Sequence, residues 1–372
     1  GATSGAFNII AGGGTITGTI TRVSDGTFVA GAVVEAFQGT VLHGAASTNA
    51  SGNYSINGLA DGTYAVRASA SGFVPQVSEG VTIVSSGTVI ANLSLNAGIA
   101  IHSPVAATVI NDHEVLVTGQ FDTSLGAELG INVNGYVALQ DGDEFAALIP
   151  VDAETTSLIA TVTNTAGTAL GSHTIPVTVQ PPTSEQILFF KPSPTIVLIS
   201  EPVSFTLTSL NPISQIQLDA NGDGTTDFTG TTLEGQSVTF AEAGLYFPLV
   251  NVTEPGGTVR TATALIQVVD ISQLDLLLKS KWNSMKDALR SGNTAEAATY
   301  IVLSKRTNYQ NIFDNLTVSF ASIDQYLTNI IFVRQRGPNV EYKMVRTEGL
   351  NQAAYPVFFV LDEDGVWRIK GF

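Results

Sequence analysis

The sequence predicts a multidomain, mainly β protein: three β-sandwich modules in series, followed by one α+β module. Three observations lead there. At 372 residues the chain exceeds what one ordinary core serves and suggests two to four domains. Short alternating apolar and polar runs, broken by Gly, Asp and Asn turns, recur as far as residue 269, a rhythm of sandwiches rather than βαβ units. At residue 270 both the hydrophobic period and the charge balance change.

Composition narrows the field further. Hydrophobic residues make up 44% and charged residues 13%, with 36 glycines, so there is ample apolar surface to bury and no disorder signature. No cysteine is present, which excludes disulfides, thiolate metal sites and a cysteine nucleophile. No apolar run reaches the roughly 18 residues of a membrane-spanning helix. Residues 1–270 hold 4 basic residues against 22 acidic ones, a net of −18, whereas residues 271–372 hold 12 against 10. The acidic portion repels phosphate backbones, so nucleic acid is excluded as its partner.

The elements follow in order. Residues 1–14 are a leader that reads as a mature or trimmed start. Its apolar stretch Ala6-Phe7-Asn8-Ile9-Ile10-Ala11 adds a strand either to its own first module or to a neighbouring subunit. Residues 15–96 form the first sandwich, with strands at Thr15–Ile20, Ala32–Ala36 and Tyr64–Ala68. Its breaks fall at Ser24-Asp25-Gly26, Ala50-Ser51-Gly52-Asn53 and Ala60-Asp61-Gly62. The order Gly18-Thr19-Ile20, Ala30-Gly31-Ala32-Val33-Val34, Thr48 to Leu59, Gly62-Thr63-Tyr64 and Gly72-Phe73 resembles the carboxypeptidase regulatory-like domain. That resemblance implies a transthyretin-like sandwich, used mainly as a non-catalytic module of exported proteins. Gly52 and Gly62 sit at tight turns, and Tyr54 and Tyr64 supply inward aromatic mass.

Residues 97–180 form the second sandwich. Its strands are Glu114–Gly119 and Phe145–Pro150, and Asn134-Gly135 is the two-residue turn of a hairpin over 131–139. The pattern loosely resembles bacterial Ig-like modules. Gln180-Pro181-Pro182-Thr183 is a stiff linker by composition. Residues 181–269 form the third sandwich, with strands at Pro202–Leu207, Ile216–Asp219 and Gly244–Val250, and resemble a PKD-type Ig-like module.

Residues 270–372 are the α+β module. Leu274, Leu277, Leu278, Trp282, Met285 and Leu289 mark an amphipathic helix from Ile271 to Arg290. Asn293 and Glu296 cap a second helix reaching about Asn315. Four strands are expected around 326–334, 339–347, 354–361 and 366–372. The closing run from Asp362 to Phe372, together with the Trp282 helix, resembles the end of an NTF2-like (cystatin-like) domain.

Motifs that carry chemistry are few. Asp219, Asn221, Asp223 and Asp227, with the Thr225 carbonyl, offer five oxygens at the spacing of a calcium loop, which would make calcium a structural cofactor. Position 12 of that loop is Gly230 and not the bidentate glutamate, so an ion-free acidic turn is the alternative. His43, His102, His113 and His173 show no zinc spacing. In Asp112-His113-Glu114 neighbouring side chains point apart and cannot meet on one atom. Neither a G-x-S-x-G elbow nor a phosphate-cradling loop occurs.

The NTF2-like resemblance implies a cone that can hold a small molecule. Its candidate polar lining is Tyr300, Tyr309, Asp324, Tyr326, Tyr342 and Tyr355, with Asp324 as base beside a donating tyrosine. The alternative is that these rings pack a core and wet their hydroxyls. The lysines and arginines of this module alternate with acids and read as ordinary solvation.

These readings converge on a non-enzymatic, exported bacterial protein of the cell surface or extracellular space. It would serve adhesion, binding of surface carbohydrate or protein, or scaffolding. The alternatives are a self-associating structural subunit of an extracellular fibre or layer, and small-molecule binding or catalysis in the C-terminal cone.

Overall fold

A computed structural model describes residues 13–23, 26–70, 73–95, 98–183, 187–317 and 319–372. The leader run 6–11, the turn residues Ser24 and Asp25, and Gly72 lie outside the described residues. The chain divides into two compact units. One comprises residues up to Ala100 together with Leu170–His173, and the other comprises Ile101–Ala169 and Thr174–Phe372.

The first unit is a sandwich of two sheets. Strand Gly14–Arg22 alternates buried and half-buried positions, as period-two patterning requires, and pairs antiparallel with Asn53–Leu59. Its other edge takes Thr88–Ile90 and Leu93–Leu95 in parallel. The facing sheet runs in the order Val41–Ser47, Val33–Gln38, Gly62–Ser69, Gln76–Ile83. Ile16, Ile20, Val34, Ile56, Val66 and Leu95 fill the space between them. Tyr54 and Tyr64 point inward as expected. Their hydroxyls donate to the carbonyls of Ala91 at 2.6 Å and Ala60 at 2.8 Å, so neither ring is buried with an unsatisfied polar tip.

The second unit begins with another sandwich. Glu114–Phe121 pairs with Glu144–Pro150 on one side, and Gly130–Val133 pairs with Ser157–Thr163 on the other. Asn134 and Gly135 both have positive φ, at 49° and 84°, the conformation that a two-residue hairpin turn demands.

In the following sandwich the order Phe228–Gly230, Gln215–Asp219, Leu249–Thr253, Val259–Thr263 makes one sheet. The expected single strand Gly244–Val250 is two strands. Gly244–Tyr246 pairs with Ile266–Val269, and Leu249–Thr253 pairs with Gln215–Asp219 in a different sheet. Pro248, which cannot donate to a ladder, stands at the crossing.

The C-terminal module opens with helix Ile271–Arg290, capped by Asp270, whose carboxylate accepts from the Ser272 amide at 2.8 Å. Trp282 is 1% exposed and donates its indole N–H to the Thr328 carbonyl. The second helix begins as its cap predicts, Asn293 accepting from the Glu296 amide, but ends at Thr299. Tyr300 to Val302 instead forms a bridge to the last strand. Val302 donates to Ile369 and Ile369 to Tyr300, which suits the β-branched pair Ile301-Val302. Helix Arg306–Asp314 follows as a separate element. The sheet is an antiparallel meander of Ile330–Arg336, Asn339–Glu348, Asn351–Leu361 and Trp367–Gly371. The protein is therefore mainly β, with several separate sheets. Among the described residues no helix is long and apolar enough to cross a membrane.

Candidate functional site

The acidic run in the third sandwich is a loop closed on itself. Asp219 Oδ1 accepts from the amides of Gly222 at 2.7 Å and Asp223 at 3.3 Å, and Oδ2 accepts from Gly224 at 2.7 Å. Asp223 accepts from the Thr225 amide and from the Asn221 side chain, which hold its carboxyl below the usual range, the Asn221 bond most strongly. Asp227 accepts from the Ala220 amide at 2.7 Å. The carboxylates thus serve as acceptors for a chain reversal. Among the described residues no group of three or more His, Asp or Glu side chains is placed to hold a metal ion.

His113 sits between its acidic neighbours. Nδ1 is 2.7 Å from Asp112 and Nε2 is 3.9 Å from Glu114, so the two carboxylates address different ring atoms.

The six candidate residues of the C-terminal module are not gathered around one cavity. Tyr342 is fully buried and donates to Asp275 at 2.9 Å. Burial, then that bond, pushes its hydroxyl above the usual tyrosine range. Its neighbours in the interior are Trp282, Met285 and Phe359, so the centre of the module is packed. Tyr300 and Tyr309 pack at the core's edge, the latter against Phe313. Asp324 is exposed and binds Lys286 at 2.8 Å and also Arg290, which hold its carboxyl low. Tyr326 and Tyr355 do meet, through Arg346, whose guanidinium lies 5.6 Å and 5.0 Å from their ring centres.

Two cations expected in solvent are instead buried at a junction between the second sandwich and the C-terminal module. Arg368, 1% exposed, donates to both oxygens of Asp364 at 2.6 and 2.7 Å, to Asp362 at 2.8 Å and to the Thr165 carbonyl at 2.9 Å. Burial pulls this guanidinium's pKa down, but the Asp364 and Asp362 contacts more than offset it. Lys281 is ion-paired with Glu128. Burial lowers its pKa in spite of that carboxylate. The other oxygen of Glu128 accepts from the Trp367 amide at 3.0 Å.

Two glycines allow the close approach. A β-carbon at Gly130 would stand 2.0 Å from the Asp364 carbonyl oxygen, and one at Gly365 would stand 2.8 Å from the Ile131 nitrogen. Beside this contact lies a cleft of about 430 Å3 walled by Phe121, Glu128, Gln140, Gln267, Leu277 and Trp367. The third sandwich joins through Gln267, which donates to the Gln140 carbonyl at 2.6 Å.

Comparison with known proteins bears first on the N-terminal sandwich. Residues 15–96 match the carboxypeptidase regulatory-like domain. The two-sheet architecture and inward tyrosines described above belong to that matched segment. No curated protein matches the chain.

Among solved structures, a chain of a type II cohesin–X-dockerin complex from Acetivibrio cellulolyticus is 23% identical over 23% of this chain, with a TM-score of 0.20. The match spans 59% of that chain's own length. The major pilin subunit of Bacillus cereus is 15% identical, covering 69% of this chain and 97% of its own, with a TM-score of 0.24. A DUF3823-family protein from Bacteroides ovatus is 14% identical, covering 45% and 100%, with a TM-score of 0.29. At these scores no role passes from those proteins to this one.

Proposed function

We propose that this protein is a non-enzymatic binding and scaffolding module array of the bacterial cell exterior. In it, sandwich modules present an NTF2-like C-terminal module to a carbohydrate or protein partner. The third sandwich is read as PKD-type, and the 219–227 loop as a structural turn.

The observation that supports this reading is the use made of the polar side chains. Arg368, Asp362, Asp364, Lys281 and Glu128 are spent on the junction, Tyr342 on Asp275, and Asp324 on Lys286 and Arg290. Groups that general acid–base chemistry would leave free to meet a substrate are here committed to holding modules in register. The test is retention of the intact chain on a panel of surface glycans, cell-wall polymers and surface proteins. Retention on at least one is the expected result; silence on all would contradict the reading.

A second reading is a structural fibre subunit. Strand Val41–Ser47 is a sheet edge with Val41 59% and Leu42 49% exposed, open to strand addition. Deletion of residues 6–11 then abolishes assembly, and an unchanged particle size sinks the idea.

A further inference from the structure

The sheet of the C-terminal module has two faces, and only one is covered by the module's helices. Residues directly paired across an antiparallel sheet share a face. The rows Ile331–Lys343–Pro356 and Arg334–Glu341–Phe358 therefore lie together, opposite the buried Tyr342, Met344, Val357 and Phe359. This outer face carries Ile331 at 51% and Phe358 at 40% exposure.

Two adjoining grooves meet at Phe358 and share Asn339 and Lys370 as walls. One, of about 470 Å3, extends to Lys305 and Tyr309, and the other, of about 250 Å3, extends to Arg334 and Arg336. Four of the five charged side chains lining them are cations, and the one carboxylate, Glu341, is bound to Arg334 at 2.7 Å. Among the described residues no carboxylate pairs with Lys305, Arg336 or Lys370. Lys305 donates to the Lys370 carbonyl, and Lys370 reaches Asn339 at 3.4 Å. Unpaired cations beside an exposed aromatic, in a chain whose net charge is −16, are a local exception to the whole molecule.

We propose that this face binds an anionic saccharide polymer, a chain of sugar rings bearing a carboxylate or phosphate on each repeat. Phe358 and Tyr309 take the apolar face of a ring, and Arg336 and Lys370 take the anion. The larger groove has the volume of an ordinary ligand cleft. A neutral glycan gives the unpaired cations nothing to do. Nucleic acid is the other polyanion that unpaired cations attract, and it enters the test as the competing outcome. The inference rests on the surface-binding reading above and names the ligand class for it.

The test is calorimetric titration of the intact chain, near physiological salt, with polygalacturonate, a phosphomannan, neutral dextran and a single-stranded oligonucleotide. The expected result is binding to a polyanionic saccharide and none to dextran, the responding polymer identifying the anion as carboxylate or phosphate. Arg336→Glu combined with Lys370→Glu weakens it at least about tenfold, equivalent to ~1.4 kcal/mol. Phe358→Ala, which leaves the charge unchanged, weakens it about fivefold. Lys191→Glu, on the exposed surface of the third sandwich, leaves it unchanged.

All variants sit at exposed positions, and their melting temperatures report whether each has folded. An unaffected Phe358→Ala variant, or equally tight oligonucleotide binding, would mean simple polyelectrolyte adsorption and overturn the proposal. Binding only to dextran overturns it while leaving the surface-binding reading standing. Silence with every ligand overturns it as well, and the surface-binding reading then stands or falls on the wider panel above.

Discussion

Arg368 grips both carboxylate oxygens of Asp364 with its two terminal nitrogens and, through Nη2, also reaches the Thr165 carbonyl at 2.9 Å, 203 residues earlier in the chain. One side chain thus closes the last hairpin of the C-terminal module and fastens it to the second sandwich. Removing only one partner of a buried, bidentate ion pair of this kind is strongly destabilising.

Arg368→Met leaves Asp362 and Asp364 without their counter-charge. A loss of about 3–5 kcal/mol is expected, read by denaturant unfolding of the intact chain. A loss below ~1 kcal/mol would mean that the carboxylates are solvated and that the junction is loose.

Gly130→Ala places a methyl group where the Asp364 carbonyl oxygen stands. The overpacking should cost about 1–3 kcal/mol, and it should fall on the junction rather than on either core. Limited proteolysis is expected to release the C-terminal module faster from the variant. Identical digestion patterns would contradict the interlock.

Alkaline pH destabilises the first sandwich through Tyr54. Burial pushes its hydroxyl from 10.0 up to about 12. Above pH 10 the unfolded chain gives up a proton that the folded sandwich keeps, so stability falls as pH rises from 10 towards 12. Tyr54→Phe removes this slope and, with it, the hydrogen bond to Ala91, which is worth about 1 kcal/mol at neutral pH. The wild-type advantage should shrink above pH 10 and reverse as the pH nears 12, and parallel profiles would count against the assignment.

Asp219 supports the acidic loop by accepting three backbone amides. Asp219→Ala should destabilise the third sandwich by about 1–3 kcal/mol, the loss of hydrogen bonds to a charged acceptor. Because the loop satisfies its own oxygens, the melting temperature is expected to be the same in a chelator and in millimolar calcium. A calcium-dependent rise would turn the loop into an ion site.

Local features were legible in the sequence because local rules determine them. The alternation at Ile16 and Ile20, the Asn134-Gly135 turn, the Asn293–Glu296 cap and the inward Trp282 all rest on spacings of a few residues. Two elements broke where a distant partner intervened. The second helix stopped so that Ile301 and Val302 could join Ile369, and the strand before Pro248 ended so that the chain could change sheets.

The junction was not legible at all. Lys281 and Arg368 stand among acids and look solvated, and Glu128 meets its partners across more than 150 and more than 230 residues, a distance over which no periodicity carries information. In the sequence, residue type alone marks the tyrosines of the C-terminal module. Type does not distinguish a ring that fills a core, such as Tyr342, from one that lines an exposed groove, such as Tyr309.

Binding without turnover is the core of the proposed function. It is tested most directly by incubating the intact chain with a polymer that retains it, releasing that polymer and measuring its chain length and end groups. Recovery of unchanged polymer is the predicted result. New reducing ends, or a shortened chain formed in proportion to protein and time, would contradict it.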